Sequence, residues 1–231
     1  MRALDSDRLT ARIARLSHGD AASPTDLLRR SMAAVARTVP IDRWCGLTLD
    51  PATVLPTGGY HDEGLPAALV PRLLEIEYAE GDVSSFTALA RSRPGAMTLD
   101  AATGGDLERS PRYREVLQPA GLPHELRVAL RAGAGCWGAL VLMRADDAPP
   151  FAPGEVEAVA RVGAVLGAGV RRSLVLGAAA AGAERAPAVM VLRLDGAAHV
   201  ESAAPPLGDW RADIEDGDDD GGGGCPIPAV G

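Results

Sequence analysis

The chain has 231 residues, of which 47% are hydrophobic, enough for the core of one large domain. Aromatics make up only 3%, so Ala, Val and Leu must do most of the packing, and every basic residue is an arginine. A net charge of −8 without a compact arginine cluster argues against nucleic-acid binding, and three cysteines without CxxC spacing suggest neither a disulfide framework nor a zinc site.

Residues 3 to 17 read as a first helix with Leu4, Leu9, Ile13 and Leu16 as a sparse stripe, either a solvated surface helix or a dimerisation helix. A second helix opens on Ser23 as cap, Pro24 as first residue and Asp26 in a capping pattern. Leu27, Leu28, Met32, Val35 and Val39 fall on one face, and Pro40 stops it. The period then changes. Trp44–Leu49 and Val54–Tyr60 read as strands joined across Asp50-Pro51-Ala52. Leu65–Tyr78 is helical, a shorter helix covers Ser85–Arg91, and Gly95–Leu99 is a short strand. Residues 101 to 109 read as a polar loop, and Ser110-Pro111 opens a helix with Tyr113, Val116 and Leu117 inward.

The firmest stretch is 123–176. Leu126, Val128 and Leu130 alternate with Glu125, Arg127 and Ala129, the mark of a strand with two unlike faces. Ala132-Gly-Ala-Gly135 turns the chain, and Cys136–Met143 is apolar enough for a strand covered on both sides. Pro153 then starts a long helix, with Phe151 and Val156 as a hydrophobic staple and Ala152 as a poor cap. Val156, Val159, Ala160, Gly163, Leu166, Val170 and Leu174 form its apolar stripe. Gly163 and Gly167 lie four apart, a spacing that suits close approach by a partner helix. The fold class is α+β, an antiparallel sheet with crossover segments on one face and the N- and C-terminal helices on the other.

Beyond residue 176 the pattern weakens. Ala188–Leu194, Asp195-Gly196 and Ala198–Ser202 read as an incomplete hairpin. Residues 213–224, DIEDGDDDGGGG, are too acidic and glycine-rich to fold, so residues 213–231 read as a disordered tail. The N-terminus has no apolar signal region, and the longest apolar run, Ser173–Ala183, is too short for a bilayer. The expectation is a soluble, cytoplasmic chain without membrane partners.

Ser110-Pro-Arg-Tyr-Arg-Glu-Val-Leu117, Gly121-Leu122, Glu125-Leu-Arg127, Cys136-Trp-Gly-Ala-Leu140, Arg144 with Asp146, Phe151-Ala-Pro and Glu155 stand in an order that resembles a GAF domain. The resemblance is to the kind found in actinobacterial transcriptional regulators of LuxR type. It implies a sensory domain over residues 1–182, core 20–176, and a PAS-like fragment over 187–212. It also implies a DNA-binding helix-turn-helix, which these 231 residues do not contain; either the chain is truncated or its acidic end is degenerate. Direct DNA contact by this chain is therefore not expected.

The resemblance implies a small-molecule pocket between sheet and crossovers, with the ligand or cofactor unknown. Tyr60, Glu77, Tyr78, Phe86, Tyr113, His124 and Arg127 are its candidate lining, the alternative being that they fill core volume. Glu125 and Arg127 share a strand face and read first as solvated, with a functional role as the alternative. Homodimerisation through the terminal helices is the partner expectation, and a ligand-free dimerisation scaffold is the rival function. Catalysis has little support. A GAF-type methionine sulfoxide reductase needs an accessible thiol pair, whereas Cys45 and Cys136 fall in strands, and the four histidines show no metal spacing.

Overall fold

The computed structural model describes residues 3–18, 23–62, 64–181, 191–192 and 198–199. Five strands form one antiparallel sheet. They are β1 (Arg43–Leu49), β2 (Pro56–Asp62), β3 (Ala96–Thr98), β4 (His124–Ala132) and β5 (Gly135–Arg144), in the order β2-β1-β5-β4-β3. The hairpin expected at 123–143 is the centre of that sheet, with Leu126 opposite Leu142 and Val128 opposite Leu140. Around it lie helices α1 (Ala3–His18), α2 (Pro24–Val35), α3 (Val70–Glu75), α4 (Phe86–Arg91), α5 (Leu99–Thr103) and α6 (Pro153–Ala181).

Strand periodicity divides the core in two. Leu126, Val128, Leu130, Leu140 and Leu142 pack with Ile13, Leu27, Met32, Val162 and Leu166 of the terminal helices. The alternate residues Ala129, Ala139, Val141 and Met143 pack with Phe86, Leu89, Leu99 and Leu117 of the crossovers. Helices on both faces of an antiparallel sheet are the α+β architecture the sequence implied.

Local signals explain most element ends. Ser23 Oγ accepts from the Asp26 N–H at 3.1 Å, Ser85 from Ala88 at 3.3 Å, and Ser110 from Tyr113 at 3.1 Å. Ala152 lacks a capping oxygen, but its own N–H donates to Glu155 at 2.8 Å, the surviving half of a capping box. Arg144 secures this junction. Its buried guanidinium pairs with Glu155 at 2.8 Å, stacks on the Phe151 ring at 4.1 Å and donates to the carbonyls of Pro40, Pro149 and Pro150.

Three expectations need correction. Residues 101–109 are not a loop, because Thr98 caps α5 and Leu99 and Thr103 are buried beneath it. Leu65–Tyr78 is not one helix but a 3₁₀ turn at Ala67–Leu69, α3, and a π turn at Ile76–Glu80. Gly163 and Gly167 do not await a partner. A Cβ on Gly163 would lie 2.5 Å from Val128 Cγ1, and one on Gly167 would lie 2.5 Å from both the N and O of Arg131. Those glycines seat α6 on β4 of its own sheet.

The first helix is a surface helix partnered within its own domain, with Leu9 and Ile13 buried against α2 and α6 and Arg8, Arg12 and Arg15 exposed. Val191–Leu192 pairs antiparallel with Ala198–His199. The rest of the segment read as PAS-like, and the acidic tail, lie outside the described residues. Among the described residues no helix is long and apolar enough to cross a membrane.

Candidate functional site

Between the sheet and the crossovers, where a pocket was expected, lies a buried network of five charged side chains. Arg127 projects from β4 on the crossover side, as does Glu125 two residues earlier; they are 2% and 3% exposed, so neither is solvated as one reading allowed. Arg112, fully buried, comes from the turn preceding the π-helical Tyr113–Leu117. Glu77 comes from the π turn after α3, and Asp82 from the segment leading to α4.

Glu125 joins the two arginines. Its Oε2 lies 2.9 Å from Arg112 Nη2, and its Oε1 accepts from Arg127 Nε at 3.1 Å. Arg127 Nη1 reaches Glu77 Oε2 at 2.5 Å, and the other Glu77 oxygen accepts the Phe86 N–H at 2.7 Å. Arg112 also donates to Asp82 at 3.0 Å, to the Val83 carbonyl and to Ser84 Oγ. Ser110 donates its hydroxyl to Asp82 at 2.6 Å, and the Phe86 ring lies 4.6 Å from the Arg127 guanidinium.

Such burial is costly unless every donor and acceptor is satisfied, and here they satisfy one another. Burial alone would raise the Glu125 carboxyl, but Arg112 and Arg127 outweigh it and hold the group below the ordinary carboxylate range. Burial opposes the charge on Arg127, yet Glu125 and Glu77 raise its pKa further.

The sign of the pH dependence follows. The folded pKa of Glu125 lies below its ordinary value of 4.5, so its contribution to stability is complete above that pH. It is lost as pH falls through the lower, folded value. Thermal melts between pH 7 and pH 3 should hold steady to about pH 5 and drop below it, and Glu125→Gln should flatten that drop while lowering stability at pH 7.

The segment above the network is strained. Ser84 has φ 52°, unusual for a non-glycine residue, and Gly81 has φ 80° at the end of the π turn. π turns and left-handed residues cluster where function constrains the backbone.

The seven candidate residues are thus partly brought together. Glu77, Phe86 and Arg127 touch. Tyr78 adjoins them but faces outward, its hydroxyl pushed up to about 12 by partial burial and by the Glu77 charge. Tyr113 is half-buried in the crossover cluster. Tyr60 lies on the opposite face against Trp44, ring centroids 5.3 Å apart, and His124 begins β4 opposite Arg144. Arg112 and Asp82 were not among the candidates. Arg112 stood in the quoted Ser110–Leu117 run, yet an arginine in a helical first turn reads as solvent-facing until its partners are known.

The GAF domain family model matches residues 23–170, well over half of the chain. The chain belongs to the GAF domain family. Solved structures similar to this GAF domain include the following three. One is the GAF domain/HD domain protein from Geobacter sulfurreducens, 18% identical, covering 67% of this chain and 95% of its own, with TM-score 0.48. Another is the phycoerythrobilin-bound GAF domain of a cyanobacterial phytochrome, 15% identical, covering 76% and 100%, with TM-score 0.44. The third is the GAF domain of an Acinetobacter phosphoenolpyruvate-protein phosphotransferase, 14% identical, covering 77% and 98%, with TM-score 0.41. No curated protein matches the chain.

No group of three or more His, Cys, Asp or Glu suited to a metal ion occurs among the described residues. Cys136 is buried, which pushes its thiol pKa up, and Cys45 is half-buried on β1. A thiol raised in this way, as at Cys136, is a poor nucleophile at neutral pH.

Proposed function

We propose that this GAF domain is the non-catalytic sensory input of a LuxR-type transcriptional regulator, with DNA binding left to a helix-turn-helix module outside these residues. A small molecule binds beneath the 76–86 segment by displacing one of the network's internal partners. The observation that carries this reading is the position of β4. Arg127 and Glu125 hold the crossover segment on one side of that strand, while Val128 and Arg131 touch Gly163 and Gly167 of α6 on the other. A shift in the segment therefore reaches α6 through a single strand, and a rigid helix relays small shifts over distance. Its 29 residues span about 43 Å, ending beyond the sheet with Val175 and Leu176 exposed as a surface for homodimerisation.

Thermal melts with cAMP, cGMP, haem, biliverdin and benzoate test the sensor reading. A true ligand raises the melting temperature with its concentration, adding about 2.7 kcal/mol of stability at a hundredfold excess over Kd. Arg127→Lys should blunt that rise. The second reading, a ligand-free dimerisation scaffold, is favoured by the completeness with which the network fills its own space. It requires that no probe shifts the melt and that Leu176→Asp dissociates a dimer seen by sedimentation.

A further inference from the structure

The terminal-helix face carries a feature that linear sequence conceals. Arg8, Arg12, Ala34, Arg37 and Thr38 line an open groove of about 530 Å³ between α1 and α2, next to the start of α6. A second groove of about 300 Å³ meets it at Arg12 and adds Arg15 and Arg30. The absence of a compact arginine cluster, expected from sequence, is thereby corrected. Helix folding places α1 positions 8, 12 and 15 on one side, and packing brings positions 30 and 37 beside them.

These charges are largely unanswered. Among the described residues Arg8, Arg12, Arg15 and Arg37 make no ion pair, while Arg30 shares Asp26 with Arg29 at 3.4 Å. Glu155, the carboxylate lining the larger groove, is already taken by Arg144 and the Ala152 N–H. Several uncompensated guanidiniums side by side on a chain of net charge −8 call for an acidic occupant.

We infer that the occupant is the chain's own acidic run Asp213–Asp220, bound across the α1–α2 grooves as an intramolecular acidic peptide. The run DIEDGDDD holds six carboxylates in eight residues, a charge density that matches the groove, and guanidiniums take carboxylates in paired hydrogen bonds. Reach is ample. Arg172 of α6 donates to the His18 carbonyl at 3.2 Å, placing the Arg15 end of α1 within about three turns of Ala181. The 32 residues from Ala181 to Asp213 can extend to about 100 Å, several times that distance. Tethering gives the tail an effective concentration of order millimolar, so contacts too weak for a free peptide hold within one chain. The docked tail covers α1, which packs on α6, the helix proposed to carry the signal.

Cys225, five residues past Asp220, offers the test. In the full 231-residue chain with Cys45→Ser, a nitroxide on Cys225 should broaden amide resonances of residues 8–15 and 30–38 at 50 mM salt. The broadening should fall severalfold at 500 mM salt. It should vanish when the six acids become Asn or Gln, and again in Arg12→Ser/Arg37→Ser, surface changes that leave the melt within about 0.5 kcal/mol. No broadening there, or broadening that survives neutralisation of the six acids, overturns the proposal. Broadening seen only when labelled and unlabelled copies are mixed would assign the groove to a second copy's tail and overturn the intramolecular form. Duplex DNA binding the wild-type chain as tightly as the neutralised one would show that the tail does not occupy the groove.

Discussion

Replacing Arg127 with methionine should cost about 3–5 kcal/mol, a large share of the 5–15 kcal/mol that holds most domains folded. The side-chain volume is roughly kept, so the loss is electrostatic rather than a cavity. Glu77 and Glu125 would remain in a dry interior, one without its partner and the other dependent on Arg112 alone. The Phe86 ring would also lose its cation. Urea unfolding at pH 7 checks this, since a lower midpoint at unchanged slope reports stability. Arg114, an exposed arginine only two positions from Arg112, is the control, and its replacement should stay within about 0.5 kcal/mol.

Gly167→Ala should destabilise the domain although alanine is the better helix former. Helix propensity favours the change by about 1 kcal/mol. Against it, the new Cβ would stand 2.5 Å from the backbone N and O of Arg131 in β4, and no rotamer change can clear a backbone atom. Overpacking of this kind costs typically about 1–3 kcal/mol and sometimes more, so the clash outweighs the propensity gain. Differential scanning calorimetry should show a lower melting temperature for Gly167→Ala. Gly177→Ala, on the same helix with open space around its Cβ, should show an equal or higher one.

The elements whose order depends on local chemistry were legible. Alternation at Glu125–Leu130, the glycine turn after it and Pro153 at a helix start sufficed for the central hairpin and α6. Ser23 and Ser110 marked two helix starts as caps do. What escaped reading depends on distant partners. The π turn at Ile76–Glu80 interrupts a good helical pattern where Glu77 meets Arg127, fifty positions away in sequence. Glu125 and Arg127 alternate with apolar residues as solvated side chains would, and only the crossover layer reveals that both sheet faces are covered. Arg112 finds its carboxylates thirteen and thirty positions away. The α1–α2 arginines are spread over thirty positions and become neighbours only when the two helices pack.

Whether a closed ionic network ties the crossover segment to β4 is decided by the coupling free energy between Arg127 and Glu77. It is obtained from urea unfolding of the wild type, Arg127→Met, Glu77→Leu and the double variant. The double variant should be more stable than the sum of the single losses allows, by at least about 1 kcal/mol, because removing both charges leaves less unpaired than removing one. Additive losses would mean that the two side chains do not hold each other in solution, and the network would not be the link between the segment and the strand.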